Sequence, residues 1–480
     1  MNPLKSLAVA AICAAIVALA PLAARAQSSA GAGSPDVLVV GGTPAGVAAA
    51  VAAARRGARV TLVSASDDLG GVLTDAMMDQ WDLNITSGDV PVERGIFSEI
   101  HARLGDAFTP ESAARALASL VAEEPRITVW YGDAVASLST HRAKDGVTVG
   151  RVTFRTSSGA SVSASAPFVV DATDDGDVAA LAGARYDLGR QDTGLDSRMQ
   201  AVTLMFSIDG VDWSVLMATY DEKLYGPGGA TDRTAWGYAD LMQRYAPLDP
   251  SVLVRDLNLG HVSGGEVTVN AVDVVGIDGL DPAQLAKARR LTIAEAPHLI
   301  DFLRANVRGF EDARLGIFAP AVYVRETRHV AGVERLTAAD VWSGRIPSDS
   351  IGLSSYPLDV HPVDATDEPA YAPVRHVYGV PFGAMVPDGI GNLLVASPAI
   401  SASHLASGSA RIVATTIEEG EAAGAAAVLA MHDHVDFADI LSHPRLIADL
   451  REDLAAHGAI VGSPGSSVKL AFGRGSKKTS

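Results

Sequence analysis

Cysteine is almost absent from this sequence. Only Cys13 occurs among 480 residues, and it lies in an apolar N-terminal segment that we expect to be removed. The mature chain then has no thiol, which excludes disulfide bonds, iron–sulfur ligation, thiolate zinc sites and cysteine catalysis. An excess of basic residues is lacking too, because 38 Lys and Arg face 56 Asp and Glu, for a formal charge of −18. We therefore predict no nucleic-acid partner.

Several catalytic signatures are missing as well. The sequence has no Gly-x-Ser-x-Gly nucleophile elbow, no His-Glu-x-x-His zinc helix and no second glycine fingerprint for a nicotinamide domain. A pair of histidines, His432 and His434, is by itself typical of a solvated surface, so we predict no metal site. The composition, 48% hydrophobic and 20% charged, is that of an ordinary globular protein and predicts a folded chain.

The N-terminus has the order of a secretory signal. Lys5 precedes an apolar stretch over residues 7–22, and the small-residue site Ala24-Arg25-Ala26 follows. We predict a signal peptide over residues 1–26, cleavage before Gln27, and an exported protein that is periplasmic or secreted. An uncleaved membrane anchor is the alternative, although Pro21 interrupts the apolar run. After cleavage we expect no stable membrane span.

The mature chain begins with a strand–turn–helix–strand pattern. A buried run over residues 36–40 leads into the glycine-rich turn of residues 41–46, an alanine-rich helix to Arg56 and a second buried strand over residues 59–63. This is a βαβ unit. Later segments predict a third strand, a small β-meander, another buried strand, a return strand and a long helix; they span residues 127–131, 147–166, 168–171, 393–396 and 409–431.

These patterns predict an α/β protein with two domains. The first is Rossmann-like, with a mixed or parallel sheet and a β-meander, and it is built from residues 35–200 and 376–435. An α+β substrate or cap domain is inserted between these segments over residues 201–375. A linker over residues 27–34 precedes them, and a C-terminal helical extension with a flexible tail follows over residues 436–480.

The glycine-rich turn predicts a dinucleotide site. Gly41 and Gly46 supply a tight turn and close helix–strand packing, so that backbone N–H groups at the helix N-terminus face a pyrophosphate. Thr43 stands where a second glycine is usual, but its hydroxyl suits a helix cap, and Pro44 suits the first helical turn. Ser64 ends the second strand, where an acidic residue usually binds the ribose.

Four segments together carry a family resemblance. They are the string VLVVGGTPAGVAAAVAAARRGARVTLV, the turn LGGVLT, the strand end VVDATDDGD and the C-terminal string NLLVASPAISASHLASGSARI. The motif RETRH and the string LTAADV in the inserted domain add to them. Over nearly the whole mature chain the sequence resembles the FAD-dependent oxidoreductase family of glutathione-reductase-like flavoproteins, including its exported bacterial members.

The resemblance implies FAD as the cofactor and assigns its binding residues. The first motif binds the pyrophosphate, Ser64 lies at the ribose, the LGG turn lies near the ribityl chain and flavin, and Val135 contacts adenine. The Asp-Ala-Thr strand end closes over the cofactor, and the C-terminal strand and helix hold the flavin ring. The implied residues are Gly41, Gly42, Thr43, Pro44, Ala45, Gly46, Ser64, Gly70, Gly71, Val72, Leu73, Thr74, Val135, Asp171, Ala172, Thr173, Asp177, Ser397, Ser409 and Arg411.

Three positions depart from the family pattern. Ser64 replaces the ribose-binding acid, Asp174 stands where glycine often follows Asp-Ala-Thr, and Ser397-Pro398 replaces Gly-Arg. Arg411 has two interpretations: it adds positive charge at the flavin, or it pairs with a neighbouring carboxylate on the surface.

The resemblance also implies catalytic candidates. His404 is expected beside the flavin, where it either accepts a proton while a hydride leaves or only holds its loop. Arg325 either orients a substrate carboxylate or forms an internal ion pair, and the same holds for Arg328. The stretch of Asp79, Trp81 and Asp82 either lines the substrate face of the flavin or is an ordinary polar loop.

The sequence thus predicts an exported FAD-dependent oxidoreductase. It would oxidise a small organic substrate by hydride transfer to flavin and pass the electrons to an acceptor that the sequence does not identify. Two alternatives stay open at this point: a degenerate flavin- or nucleotide-binding module without turnover, and a nicotinamide-dependent dehydrogenase that uses the single glycine fingerprint.

Overall fold

The structure, a computed structural model, describes residues 34–82, 91–144, 146–263 and 266–465. The predicted signal peptide, nearly all of the predicted linker and the end of the predicted tail lie outside these residues. Within them, no helix combines the length and the apolar character that crossing a membrane requires.

The strands and helices are numbered in chain order. The strands are β1 (Val37–Val40), β2 (Val60–Val63), β3 (Ile127–Trp130), β4 (Asp133–Ala143), β5 (Gly146–Thr156), β6 (Ser161–Ser165), β7 (Phe168–Asp171), β8 (Tyr186–Leu188), β9 (Val202–Thr203), β10 (Phe206–Asp209), β11 (Gly228–Ala230), β12 (Thr234–Gly237), β13 (Val252–Leu253), β14 (Leu257–Ser263), β15 (Glu266–Val269), β16 (Asp273–Val274), β17 (Arg314–Phe318), β18 (Arg328–Val330), β19 (Ser350–Ser354), β20 (Leu358–Val360), β21 (Ala370–Ala372), β22 (Tyr378–Pro381) and β23 (Leu393–Val395). The helices are α1 (Pro44–Arg55), α2 (Ile96–Leu104), α3 (Pro110–Ala122), α4 (Asp177–Leu181), α5 (Trp213–Asp221), α6 (Ala239–Met242), α7 (Pro282–Asn306), α8 (Ala338–Ser343), α9 (His404–Ala410), α10 (Val413–Asp433), α11 (Phe437–Ser442) and α12 (Pro444–Ala456).

A parallel sheet forms the centre of the first domain. Its strand order among the described residues is β23-β7-β1-β2-β3, with all neighbours parallel. Strands β1, β2, β7 and β23 are buried along their whole length, as expected for continuous apolar runs covered on both faces. The register places Val40 between Val63 and Asp171, so the carboxyl ends of three strands meet at one edge. This confirms the predicted α/β class with its parallel sheet.

Helix α1 starts at that edge, directly after the glycine-rich turn. The Thr43 hydroxyl accepts a hydrogen bond from the Gly46 amide and donates one to the Ala172 carbonyl at 3.0 Å. The turn is therefore tied to the end of β7 as well as to its own helix. Gly41 has φ +120°, and a Cβ there would collide with the Ala172 backbone, so this position requires glycine.

Helix α10 packs along α1 through small residues. A Cβ at Gly420 would collide with the Ala45 carbonyl, and one at Gly424 with the Ala49 carbonyl. The sequence predicted one helix over residues 409–431, whereas the structure has two, because α9 ends at Ala410 and α10 begins at Val413. The break lies at Ile412, whose ψ of 137° is extended. It allows α10 to lie against α1 while α9 points elsewhere.

The meander and the inserted region complete the architecture. Strands β4, β5 and β6 form an antiparallel sheet in sequence order; the predicted meander over residues 147–166 corresponds to β5 and β6, and β4 precedes it. A second sheet with the order β11-β12-β14-β15-β10-β17 packs with α7 around a separate core of buried residues between Val202 and Ala313. This mixed region lies within residues 201–375, where an inserted α+β domain is predicted; the domain bounds stay a prediction. Its far end, residues 321–325, returns to the carboxyl edge of the parallel sheet, as the next section describes.

Candidate functional site

A cleft of about 230 Å³ lies between the carboxyl edge of the parallel sheet and the second sheet with its helix α7. Its lining comes from the glycine-rich turn, the segment after β2, the loop after β7, the strand end before Arg325, and both sides of the α9–α10 break. The lining residues are Thr43, Pro44, Ala45, Gly71, Val72, Asp75, Ala76, Asp174, Asp175, Gly279, Leu285, Ala321, Val322, Tyr323, Val324, Arg325, Ser397, Pro398, Arg411, Val413 and Thr416.

The start of α1 forms one wall of the cleft. Thr43, Pro44 and Ala45 line it directly, and the helix N-terminus there carries a partial positive charge that favours an anion. Gly41, Gly42 and Gly46 stand behind this wall. A Cβ at Gly42 would collide with Ser64, and one at Gly46 with the Gly41 carbonyl. These glycines therefore set the shape of the turn.

Ser64, predicted at the ribose, is engaged within its own turn. Its hydroxyl donates to the Asp68 carbonyl at 2.8 Å and accepts from the Ser66 amide at 3.2 Å. Both bonds are local, so the structure gives Ser64 a turn-stabilising role besides the predicted one. Its ribose contact stays a prediction.

The segment predicted near the flavin forms a short 3-10 helix, Gly71–Leu73. Gly71 and Val72 line the cleft, whereas Leu73 is fully buried in the core. Gly70 has φ +135°, and its amide donates to the Gly42 carbonyl at 2.8 Å. The Thr74 hydroxyl donates to the Gly71 carbonyl at 3.3 Å. This turn is thereby fixed against the glycine-rich turn.

The strand end Asp171-Ala172-Thr173 supports the cleft from behind. The Asp171 carboxylate accepts from the Thr173 amide and hydroxyl and from the Ala179 amide, at 2.6 to 3.1 Å. Burial raises the pKa of Asp171 to about 6 although these bonds lower it. Asp177 is turned toward Arg328, at 2.8 Å. Their predicted contacts with the cofactor stay predictions.

Asp174 and Asp175 place carboxyl groups inside the cleft. Burial raises the pKa of Asp174 to about 7, and the neighbouring Asp175 and Asp75 add to the shift. The Thr327 hydroxyl donates to Asp175 at 2.7 Å. Val135, predicted at adenine, lies on β4 opposite Phe154 and packs half-buried against the main core; its predicted contact is untested.

Arg411 ends α9 and lines the cleft. It is buried, its guanidinium donates to the Tyr323 hydroxyl at 2.8 Å, and it forms an ion pair with Asp359 at 3.2 Å. Burial by itself lowers the pKa of Arg411, but Tyr323 and Asp359 outweigh it and hold the pKa above its ordinary value. The ion pair is therefore internal and not on the surface. Ser397 lines the cleft too, whereas Ser409 bonds to the Tyr356 carbonyl at 2.6 Å and to Tyr378 at 2.8 Å.

Arg325 also lines the cleft, and its guanidinium group pairs with other side chains of the protein. Only 2% of its side chain is exposed, and it forms an ion pair with Asp273 at 3.3 Å. It also donates to the Ala201 carbonyl and the Thr203 hydroxyl, both at 2.8 Å. Of the two interpretations from the sequence, the internal ion pair is present. Arg328 likewise pairs internally, with Asp177.

His404 belongs to a buried group with Glu326 and His329. One carboxylate oxygen of Glu326 accepts from His404 Nδ1 at 2.7 Å and from His329 Nε2 at 2.8 Å, and the other accepts from the Gln200 amide at 3.1 Å. Burial alone would raise the pKa of Glu326, but the two imidazoles outweigh it and hold the pKa at about 2. His404 lies at the start of α9, and 6% of its side chain is exposed. It is not among the described residues that line the cleft. Its catalytic role stays a prediction.

A second group, which we call the polar cluster, was missed by sequence reasoning except for Asp82. Its members are Asp82, Asp256, Asp273, Tyr356, Asp359 and His361. His361 lies between two carboxylates, with Nδ1 2.7 Å from Asp273 and Nε2 3.5 Å from Asp359. Burial and Arg325 lower the pKa of His361, but the two aspartates outweigh them and raise it. The side chains of Asp273, Asp359 and His361 are 16%, 24% and 24% exposed, so water reaches the cluster.

Asp82 and Tyr356 form the other side of the polar cluster. Asp82 lies close to Tyr356, and burial, assisted by Asp359, raises the pKa of Asp82 to about 6. Burial and Asp273 raise the pKa of Asp256. Of the predicted polar loop, only Asp82 joins this cluster. Asp79 is buried against Thr268 of β15, and Trp81 packs on Phe97 and Phe108.

Local sequence signals for these residues are weak. Tyr323 stands two positions before the RETRH motif, and this proximity is the signal that could have identified it as a site residue. Asp273, Asp359 and His361 stand in short strands or loops that no motif marks, and they meet only through the fold. Among the described residues, no group of three or more His, Cys, Asp or Glu side chains is arranged to hold a metal ion.

Comparison with known families identifies the family of this chain. A profile described as FAD-dependent oxidoreductase matches residues 36–454, which is more than half of the chain. The chain belongs to this family. It is an FAD-dependent oxidoreductase enzyme, and the prediction of FAD as cofactor is confirmed. No curated protein sequence matches the chain significantly.

Solved structures of similar proteins are distant. A p-nitrophenol 4-monooxygenase from Pseudomonas putida DLL-E4 is 11% identical with a TM-score of 0.43, and 88% of each chain is covered. A geranylgeranyl bacteriochlorophyll reductase-like protein from Thermoplasma acidophilum is 14% identical with a TM-score of 0.44, covering 89% of this chain and 87% of that one. A flavoprotein/dehydrogenase from Cytophaga hutchinsonii is 15% identical with a TM-score of 0.40, covering 88% and 86%.

The residues of the cleft fit FAD. Thr43, Pro44 and Ala45 at the start of α1 would hold the pyrophosphate, and Gly71, Val72 and Pro398 would flank the flavin. Arg325 and Arg411 each have a buried Nε without a hydrogen-bond partner among the described residues, and both line the cleft. A buried donor without a partner is costly, so these two groups suit the polar edge of a bound cofactor.

Proposed function

We propose that this enzyme oxidises a small organic substrate by removing a hydride from carbon. The observation that carries the proposal is the position of Arg325 and Arg411, since each lines the cofactor cleft and each pairs with a member of the polar cluster. The cluster therefore stands next to the space that fits FAD. A substrate bound at the cluster would have its reacting carbon beside the cofactor.

The proposed reaction converts a CH–OH group into a carbonyl. When bound, FAD supplies a two-electron acceptor for the hydride. His361 accepts the hydroxyl proton through Nε2, because its contact with Asp359 is 3.5 Å, longer than a hydrogen bond, and a substrate hydroxyl can take that place. Asp273 fixes the imidazole through Nδ1, and Arg325 and Arg411 keep the two aspartates in position. Dioxygen, a quinone or a soluble carrier is the class of acceptor that takes the electrons away.

The first experiment loads the purified protein with FAD and follows flavin absorbance under anaerobic conditions while candidate substrates are added. Bleaching of the flavin with formation of a carbonyl product supports the proposal. A protein that binds FAD but is bleached by none of a panel of alcohols, hydroxy acids and amines contradicts it, and would favour a site without hydride transfer.

Variants then separate the two histidines. His361→Gln should lower kcat/KM by about a hundredfold or more, while flavin absorbance per protein is unchanged. The control His457→Gln, at the exposed end of α12, should change neither. If His404→Gln lowers kcat/KM as strongly and His361→Gln has no effect, the proton acceptor is His404 and our assignment of His361 is wrong.

We also propose that the protein is exported, on the support of Lys5, the apolar stretch 7–22 and the cleavage site before Gln27. The test is N-terminal sequencing of the protein recovered outside the cytoplasm of an expressing bacterium. A first residue Gln27 supports the proposal, and an intact N-terminus in the cytoplasmic fraction overturns it.

A further inference from the structure

The polar cluster has more hydrogen-bonding groups than a simple alcohol can use. Its charges are already paired in a chain: Arg325 with Asp273, Asp273 with His361, His361 with Asp359, and Asp359 with Arg411. Each of these contacts is 3.5 Å or shorter. The two aspartates, His361 and the two arginines therefore lie next to one another in an unbroken series of contacts.

The paired members of this series carry little net charge among themselves. Asp273 and Asp359 balance the two arginines, and His361, between both carboxylates, adds a positive charge when protonated. Asp82 and Asp256 have no arginine or lysine partner within ion-pair distance among the described residues. A substrate carboxylate would meet arginines that are already neutralised and two further acidic side chains. An anionic substrate is accordingly disfavoured.

The partly exposed groups around the polar cluster include both acceptors and donors. Asp82 and Asp256 offer carboxylate oxygens, and Tyr356 and Tyr323 offer hydroxyls. Tyr371 lies near Asp82 and Asp359 and is well exposed, so it adds an aromatic face. A ligand with several adjacent hydroxyl groups, each both a donor and an acceptor, matches this set of hydrogen-bonding groups.

We infer that the substrate is a neutral polyhydroxylated compound, a sugar or a polyol, bound through Asp82 and Asp256 with one of its secondary alcohols at His361. This inference rests on the proposed function, and it names the substrate class of the same site. Hydrogen bonds from hydroxyl groups to the two carboxylates supply the specificity, because bonds to charged acceptors are the stronger kind.

The test measures binding separately from turnover. FAD-loaded enzyme is titrated with a panel of hexoses, pentoses, hexitols and inositol, and in parallel with lactate as a hydroxy acid and benzylamine as an amine. Binding is read from the perturbation of the flavin absorbance and from the melting temperature, and reduction is read from anaerobic bleaching. We expect a member of the first group to bind most tightly.

Asp82→Asn and Asp256→Asn should each weaken that binding by about tenfold or more, while Asp301→Asn, an exposed position on α7, should leave it unchanged. Preservation of the flavin spectrum in the variants shows that they fold. Tighter binding of lactate or benzylamine than of any sugar or polyol overturns the inference, as does a panel in which no sugar or polyol binds. If sugars bind through Asp82 and Asp256 but never bleach the flavin, the inference holds and the proposed hydride transfer is wrong.

Discussion

The carboxylate of Glu326 and the imidazole of His404 are joined by a 2.7 Å hydrogen bond inside the protein, and His329 bonds to the same oxygen. This arrangement links the segment after β17 to the start of α9, two regions 78 residues apart. It also fixes the neighbour of Glu326, Arg325, which lines the cofactor cleft. The group is therefore a junction between the segment after β17 and the start of α9.

Replacing Glu326 by Gln should destabilise the protein at neutral pH. The pKa of Glu326 is held at about 2, below its ordinary value of 4.5, so its contribution is fully present above pH 4.5 and is lost as the pH falls through 2. The shift corresponds to about 3 kcal/mol. Denaturant unfolding of Glu326→Gln and wild type at several pH values checks this. The control Glu334→Gln, which breaks the surface pair with Arg345, should cost less than about 1 kcal/mol; equal losses in both variants would contradict the junction role.

Because of Glu93, the free energy of unfolding should fall as the pH rises. Burial raises its pKa to about 8 from an ordinary 4.5, so between these values the folded state binds the extra proton and stability falls as the pH rises. Between pH 5 and pH 8 the loss from this group is about 3 kcal/mol. Glu93→Gln should remove that part of the slope in unfolding experiments. An unchanged slope would mean that Glu93 is already ionised in the folded protein.

Asp174 should make FAD binding sensitive to pH. Its pKa is raised to about 7, and it shares the cleft with Thr43 and Ala45, where the pyrophosphate fits. Ionisation above pH 7 adds a repulsive charge, so FAD affinity should fall from pH 6 to pH 8. Asp174→Asn should bind FAD about tenfold more tightly at pH 8 and equally at pH 6, by fluorescence titration. Asp221→Asn, exposed at the end of α5, is the control; the same pH dependence in Asp174→Asn and wild type would refute the prediction.

Gly420→Ala should disturb the cofactor site from a distance. The added methyl group collides with the Ala45 carbonyl, which forces α10 away from α1 and moves the first turn of α1. We expect a loss of about 1–3 kcal/mol in stability together with weaker FAD binding. Gly276→Ala is the matched control, because its Cβ would meet nothing within 4 Å; its left-handed φ should cost about 1 kcal/mol and leave FAD binding intact. If Gly420→Ala binds FAD normally, the packing of α10 does not position α1.

The first domain was predictable because its signals are local. The apolar run of β1, the glycine turn and the alanine-rich α1 follow one another within about twenty residues, and each determines its own structure. The break between α9 and α10 was not predictable, since the residues from Arg411 to Val413 carry no proline or glycine. The break lies at Ile412, whose backbone is extended, and the adjacent Arg411 is held by Tyr323 and Asp359, which are distant in sequence.

The polar cluster was not predictable for the same reason. Asp82 was named from the sequence as one of two open interpretations, but Asp273 and His361 lie in local sequence that no motif marks, and their chemistry depends on distances that only the folded chain sets. For Arg325 the sequence identified the residue and both of its possible roles. Only the folded structure, which places Asp273 beside it, shows that the ion pair is present.

The parallel sheet carries β23 beside β7, and the cleft draws its walls from residues between Thr43 and Thr416. A chain that emerges from the ribosome or crosses a membrane N-terminus first therefore has no complete cofactor pocket until almost all of it has emerged. The glycine-rich turn and α1 are synthesised some 350 residues before β23. A complete cofactor pocket therefore requires that segments from the two ends of the described chain have come together.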